Sequence, residues 1–301
     1  MAPCRTIRSL ALATLLAGGL SAAETANPPQ PAGSTWHPAL VYGHAGEQDQ
    51  LLDLALPAPG AGPAPLVVCI HGGGWVGGNR KQFDGLAKRL ATRGFAAASI
   101  DYRLAPGAPL PAQIADAKSA VRWLRAHAAE YGIDAQRVAT LGESAGGHLA
   151  LMVGLDRDST DQPLQAVVSL AGPTDLAPTA WEASSIKAVY HCDLPTAMAL
   201  LGGPDAAGMA TTCSPVACVD AHDPPVLAFH GDADKVVPLA QAQHLAELLQ
   251  AAGVEHRLVV LPGLGHGFSG PAHSRMEGEA IAFLADHLLT AAAQTQTVPA
   301  R

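Results

Sequence analysis

Leu141-Gly142-Glu143-Ser144-Ala145-Gly146-Gly147-His148-Leu149-Ala150 is the stretch on which the reading of this chain turns. Arg137-Val138-Ala139-Thr140-Leu141 leads into it as a short, mostly apolar run that reads as a strand, and Leu149-Ala150-Leu151-Met152-Val153 reads as a helix. Between them lies Gly-x-Ser-x-Gly. A strand that turns at once into a helix crowds the residues beside the turn. Glycine at 142 and 146 relieves that crowding and lets Ser144 take a strained conformation with its hydroxyl exposed. The N–H groups of the helix that starts there converge on the same spot, where they suit a negatively charged oxygen. Ser144 is therefore a candidate nucleophile. In a chain holding 31 glycines the motif alone is weak, so the case rests on its surroundings.

Upstream, Leu66-Val67-Val68-Cys69-Ile70 is a continuous apolar run, as a buried parallel strand should be. It ends in His71-Gly72-Gly73-Gly74-Trp75, where three successive glycines let a ligand approach the main chain. An oxyanion hole in this kind of architecture takes N–H groups from the loop after such a strand and from the residue after the nucleophile. Gly73, Gly74 and Ala145 are the candidates. His71 reads as a hydrogen-bonder that holds the loop. Further strands are expected at Leu40–Tyr42, Gln50–Leu56, Phe95–Ile100, Gln165–Leu170, Pro225–Phe229 and Arg257–Leu261. Helices are expected at Phe83–Thr92, Pro111–Glu130, Leu239–Ala251 and Gly278–Leu289. Strands alternating with helices along the whole length predict an α/β fold, a mostly parallel sheet with helices on both faces. Ligand sites in such sheets lie at the carboxyl ends of the strands, and the special stretches all follow predicted strands.

A serine hydroxyl needs a base within hydrogen-bond reach, and the base needs a third group to fix its tautomer and stabilise its charge. Among 13 histidines, His266 stands out in Gly263-Leu264-Gly265-His266-Gly267-Phe268, a glycine-rich loop after the last strand. His148, one helical turn after Ser144, reads as a packing residue. For the acid, His230-Gly231-Asp232-Ala233-Asp234 follows another strand. Asp234 is preferred, Asp175 after the preceding strand is a second possibility, and Asp232 reads as a residue bracing its own loop. Asp101 and Arg103 are expected to lock a loop by ion pairing. Trp75, Asp175 and Trp181 are candidates for contacting substrate.

The order Ser, Asp, His along the chain is that of the α/β-hydrolases. With His71-Gly-Gly-Gly-Trp75, Asp101-Tyr-Arg-Leu104, Gly142-Glu-Ser-Ala-Gly-Gly147, His230-Gly-Asp-Ala-Asp234 and Gly265-His-Gly-Phe268, the chain resembles α/β-hydrolase carboxylesterases of the hormone-sensitive-lipase-like type. It resembles bacterial feruloyl/acetylxylan-esterase-like secreted hydrolases more closely. The resemblance implies an α/β-hydrolase fold and a serine esterase that forms an acyl-enzyme on short-acyl or aromatic-acid esters, without cofactor or metal. It supports Asp234 as the acid. Two rivals stand beside it: an arylformamidase-like amidase, which shares the His-Gly-Gly-x-Trp loop, and a catalytically inactive binding module on the same fold.

Composition narrows the partners. The 301 residues are 49% hydrophobic and 15% charged, enough for one large domain, and the net charge of −8 argues against a nucleic-acid surface. Small-molecule or carbohydrate-linked esters are the expected substrates. Arg5 and Arg8, the uncharged run Ser9–Leu20 and Ser21-Ala22-Ala23 read as a secretory signal, too short in its apolar part for a membrane span. Export to the periplasm or medium is therefore expected. The expected organisation is a signal at 1–23, a Pro-containing leader at 24–37, the hydrolase domain at 38–292 and a tail at 293–301. The aperiodic segment at 176–221 reads as a small lid inserted in the domain. In an oxidising compartment, a disulfide among Cys192, Cys213 and Cys218 is expected, its pairing open.

Overall fold

The computed structural model describes residues 33–60, 62–156, 161–181, 190, 197, 199, 201–202 and 206–289. The expected signal segment, Cys192 and the tail lie outside the described residues. An eight-stranded sheet runs in the order β1-β2-β4-β3-β5-β6-β7-β8. β1 (Thr35–Ala45) and β2 (Gln48–Leu56) form an antiparallel hairpin turned at Gly46 and Glu47, and β2 lies antiparallel to β4 (Ala96–Ile100). β4 lies parallel to β3 (Ala64–Ile70), and β3 to β5 (Ile133–Glu143). The parallel run continues through β6 (Ala166–Leu170), β7 (Val226–Gly231) and β8 (His256–Leu261).

Alternation along the central strands divides the core in two. Leu66, Val68 and Ile70 of β3 pack with Ala96, Ala98 and Ile100 of β4, against α2 (Leu110–Ala126), α4 (Ala145–Leu155) and α6 (Leu239–Ala252). Val67, Cys69, Ala97, Leu141, Val168 and Phe229 point the other way, against α1 (Asp84–Ala91) and α7 (Gly270–Leu288). Strands covered on both faces need no polar alternation, which is why β4 and β6 are buried at every position. Each fully buried Leu or Val here is worth roughly 2 kcal/mol of removed apolar surface. α4 is apolar all round and buried at all eleven residues, as a helix between the sheet and further packed segments must be.

Some boundaries differ from the sequence reading. The expected helix over 111–130 breaks at His127 into α2 and a single turn, α3 (Ala128–Tyr131). α7 begins at Gly270, eight residues before the expected start. Its first turns are largely polar and half-exposed, so the apolar period becomes visible only with Met276, Ala280, Ile281 and Leu284.

The expected disulfide does not form between Cys213 and Cys218, which are free thiols. They flank the 3-10 turn Pro215–Ala217, and each sulfur is turned to a near neighbour: Cys218 Sγ donates to the Ser214 carbonyl at 3.6 Å, and Cys213 Sγ lies 3.8 Å from Thr212 Oγ1. The described residues Leu176, Tyr190, Ala197, Leu201, Met209 and Cys213 all join the core on the α4 side of the sheet, and α5 (Ala206–Thr212) lies among them.

One acid cluster is expected to make stability pH-dependent. Arg80 contacts Asp53 at 2.9 Å and Asp101 at 2.6 Å. Asp84, beside Asp53, is pushed up to about 6 by burial and by the negative charge of Asp53. An acid whose folded pKa is raised binds its proton more tightly when folded, so its contribution is fully present below the unfolded value near ~4 and is lost as pH rises to about 6. Asp84→Asn keeps a donor for Asp53 and cannot ionise. The variant and wild type are expected to melt together at pH 4, with the variant about 2–4 °C higher above pH 7, for roughly 1 kcal/mol at this half-buried site. Parallel thermal melts across pH check this, and a constant difference would contradict it.

Candidate active site

The turn between β5 and α4 leaves no room for side chains. A Cβ on Gly142 would stand 2.1 Å from the Gly146 carbonyl oxygen, and one on Gly146 would stand 2.0 Å from the Ile70 oxygen. Ser144 sits at φ 54°, ψ −121°, a strained conformation costing about 1–3 kcal/mol. Two backbone bonds hold it there: Ser144 N–H to Leu170 O at 2.7 Å, and His148 N–H to Ser144 O at 3.0 Å.

His266 lies between Ser144 and Asp234. Its Nε2 is 2.8 Å from Ser144 Oγ and its Nδ1 is 2.8 Å from Asp234 Oδ2. A carboxylate can only accept, so Nδ1 carries the proton and Nε2 presents its lone pair to the serine hydroxyl. The Asp234 side chain is fully buried, while that of His266 is 14% exposed. Oδ1 of Asp234 accepts the N–H groups of Val236 (2.7 Å) and Val237 (2.9 Å). Burial by itself would raise the Asp234 pKa. Hydrogen bonds from His230 and His266, the charge His266 can carry and the Val237 N–H outweigh it, and the carboxyl is held well below the usual range. The two loops that carry acid and histidine are tied together. Asp232 Oδ1 accepts Gly263 N–H at 2.6 Å, and Ala233 N–H donates to Leu264 O at 3.0 Å. Asp175 instead turns Oδ1 onto the Ala177 N–H of its own loop at 2.8 Å. Of the three candidate carboxylates, Asp234 is the one hydrogen-bonded to His266.

In the glycine loop every carbonyl from His71 to Trp75 is occupied. His71 O accepts Tyr102 OH (2.9 Å), and Gly72 O accepts His71 Nδ1–H (2.7 Å). Gly73 O accepts Val76 and Gly77 N–H (3.1 and 3.0 Å), Gly74 O accepts Tyr190 OH (3.2 Å), and Trp75 O accepts Ala105 N–H (2.8 Å). Gly73, Gly74 and Trp75 all take positive φ, at 120°, 59° and 59°. Among the described residues no acceptor takes the N–H of Gly73, Gly74 or Ala145, the last because the first N–H groups of a helix have no intrahelical partner. His71 serves as a neutral donor: burial pushes its pKa down to about 4, and it stacks on Tyr102 at 4.1 Å.

The other expected residues play structural parts. Trp75 is 1% exposed, a core side chain set edge-on to His148 at 5.1 Å. Trp181 is half-buried against the core on the α4 side. His148 is fully buried and its Nε2 donates to Cys213 O at 2.7 Å, which ties α4 to the segment after β6. Asp101 and Arg103 do form ion pairs, each with another partner: Asp101 with Arg80 and Arg103 with Asp116, both at 2.6 Å. Sequence reasoning assigned no role to Tyr102, Tyr190 or His230. The first and last stand inside quoted motifs, whereas nothing local marks Tyr190. Glu143, half-buried beside the serine, is pushed above the usual carboxyl range by burial, against the pull of His266 and His273. Among the described residues no group of His, Cys, Asp and Glu could hold a metal ion, and no helix is long and apolar enough to cross a membrane.

Known proteins share this arrangement of elements. The sequence pattern of the BD-FAE family matches residues 52–249. Carboxylesterase NlhH of Mycobacterium tuberculosis is 34% identical over 249 residues, 73% of each chain. Esterase LipC of the same organism is 34% identical over 220 residues, 68% of this chain and 53% of LipC, so the chain spans about half the length of that relative. Two solved structures superpose with a TM-score of 0.70. A truncated carbohydrate esterase from gut microbiota is 29% identical, with 85% of this chain and 97% of that one covered. Thermogutta terrifontis esterase 2 phosphorylated by paraoxon is 28% identical, with 87% and 98% covered. A match over residues 52–249, with the sheet order and strand-to-helix turn described above, means that the chain belongs to the BD-FAE family and has the α/β-hydrolase fold.

Proposed function

We propose that this protein hydrolyses carboxylic esters through an acyl-enzyme on Ser144, with His266 as base and Asp234 as the acid that orients it. The unbroken line from Ser144 Oγ through the imidazole to a buried carboxylate, each link 2.8 Å, carries the proposal. Ser144 Oγ attacks the ester carbonyl carbon as its proton passes to His266 Nε2. The negative charge that develops on the carbonyl oxygen is met by the N–H groups of Gly73, Gly74 and Ala145, each such donor being worth about 3 kcal/mol in the transition state. His266 then gives the proton to the departing alkoxy oxygen and the C–O bond breaks, leaving the acyl group on Ser144. Water enters, His266 takes one of its protons, and the same steps release the carboxylic acid and restore the serine. Asp234, ionised throughout, stabilises the imidazolium at each stage.

Short-acyl or aromatic-acid esters are the proposed substrates. Support comes from the carbohydrate esterase and from a Thermogutta terrifontis esterase 2 structure that holds propionate. Export belongs to the same proposal, on the strength of the charged and apolar pattern of residues 1–23. The test combines labelling with a substrate series. Paraoxon should add one diethylphosphoryl group to the peptide containing Ser144. Rates on p-nitrophenyl esters should fall steeply from acetate to palmitate. No adduct on Ser144, equal rates on palmitate and acetate, or a preference for N-formylkynurenine over esters would overturn the assignment.

A further inference from the structure

His230 lies at the end of β7, four residues before Asp234, and its side chain is 1% exposed. Its Nε2 is 2.9 Å from the Val237 carbonyl oxygen and 3.3 Å from Asp234 Oδ2. Both neighbours can only accept, so Nε2 must carry the proton. Oδ2 of Asp234 therefore accepts the His266 Nδ1–H at 2.8 Å and has a second imidazole nitrogen, His230 Nε2, 3.3 Å away. Oδ1 is held by the Val236 and Val237 N–H groups, and His230 stands beside the other oxygen.

We infer that His230 is a positioning residue for the Ser144 chemistry: its Nε2–H, shared between Val237 O and Asp234 Oδ2, fixes the carboxylate against His266 and draws off part of the charge that His266 feels. This rests on the esterase reading above. The consequence has a direction. With the second donor gone, the full charge of Oδ2 acts on His266 and favours its protonated form, in which it cannot serve as base. Among the described residues, Glu143 at the end of β5 interacts with His266 and with His273 in α7, and Asp232 lies in the same loop as Asp234; all remain in the variants below.

The test compares His230→Leu, which has no donor, with His230→Gln, whose amide N–H reaches a similar place, in kcat and KM on p-nitrophenyl acetate across pH. In His230→Leu, kcat should fall about tenfold or more with KM within about twofold, and the acid limb of kcat/KM should move to higher pH. His230→Gln should restore most of both. A folded His230→Leu with an unmoved acid limb would overturn the inference, as would equal profiles for the two variants. Should the leucine variant fail to fold, the wild-type protein decides alone. Histidine ¹⁵N shifts at pH 8 must show His230 protonated at Nε2 and bare at Nδ1, and the opposite tautomer overturns the inference. A wild-type protein inactive on every ester would instead defeat the esterase reading, a distinguishable result.

Discussion

Ser144→Ala is expected to lower kcat/KM on p-nitrophenyl acetate by about 10⁵–10⁶-fold, His266→Ala by a similar factor, and the double variant by no more than either. The lack of additivity follows from the geometry. In the proposed mechanism His266 serves as base for a hydroxyl placed 2.8 Å from Nε2, and Ser144 is a nucleophile only while something takes its proton. Once one is gone the other has nothing left to contribute. Asp234→Asn should cost less, about 10⁴-fold, because an amide at Oδ2 invites the wrong imidazole tautomer while the chain of contacts stays in place. A residual acceleration of roughly 10³-fold over water should survive in every variant, since the N–H groups of Gly73, Gly74 and Ala145 belong to the backbone. All four proteins should melt near the wild-type temperature, except that Asp234→Asn disturbs a buried group. Additive losses in the double variant, or Ser144→Ala retaining a few per cent of activity, would show that the hydrolytic chemistry lies elsewhere.

The sequence revealed those features whose cause is local. Steric crowding at a strand-to-helix turn demands glycine at fixed offsets, so Gly142 and Gly146 announce themselves without a structure. Central strands buried on both faces read as apolar runs, unbroken in β3 and interrupted only by Ser169 in β6. Features chosen by tertiary neighbours stayed hidden. Asp101 was legible as an ion-pair former, yet its partner is Arg80, 21 residues upstream, because the end of β4 meets that loop in space. The inward direction of Trp75 depends on a backbone φ of 59° that the residue type disfavours. Tyr190 reaches Gly74 across 116 positions from a segment without periodicity. Spacing places Cys213 and Cys218 close together along the chain but does not say which way each sulfur points. His230 was visible in its motif, but a second donor on Asp234 Oδ2 becomes apparent only when the distances to both acceptors are known.

Gly146→Ala should be the most damaging of the small substitutions, with a loss of more than about 4 kcal/mol and little folded protein. Alanine is the better helix former by roughly 1 kcal/mol, so propensity alone predicts a gain. Contact reverses the sign. The added methyl would stand 2.0 Å from Ile70 O and 2.5 Å from His71 O, both backbone atoms that cannot turn aside. The first turn of α4 and the end of β3 would have to separate by more than an ångström. That interface also sets the site: Ala145 N–H comes from the helix, and the Gly73 and Gly74 N–H groups come from the loop that continues β3. The proposed oxyanion donors would be moved apart by such a shift, so any folded fraction should lose about 10²-fold in kcat. Gly278→Ala is the control. It lies within α7 with nothing within 4 Å of the new methyl, and the same change there should stabilise by about 0.5–1 kcal/mol with activity unchanged. Thermal melts and ester assays on the pair separate the two causes. If Gly146→Ala melts within a few degrees of wild type, the close approach of α4 to β3 is not what positions the oxyanion donors.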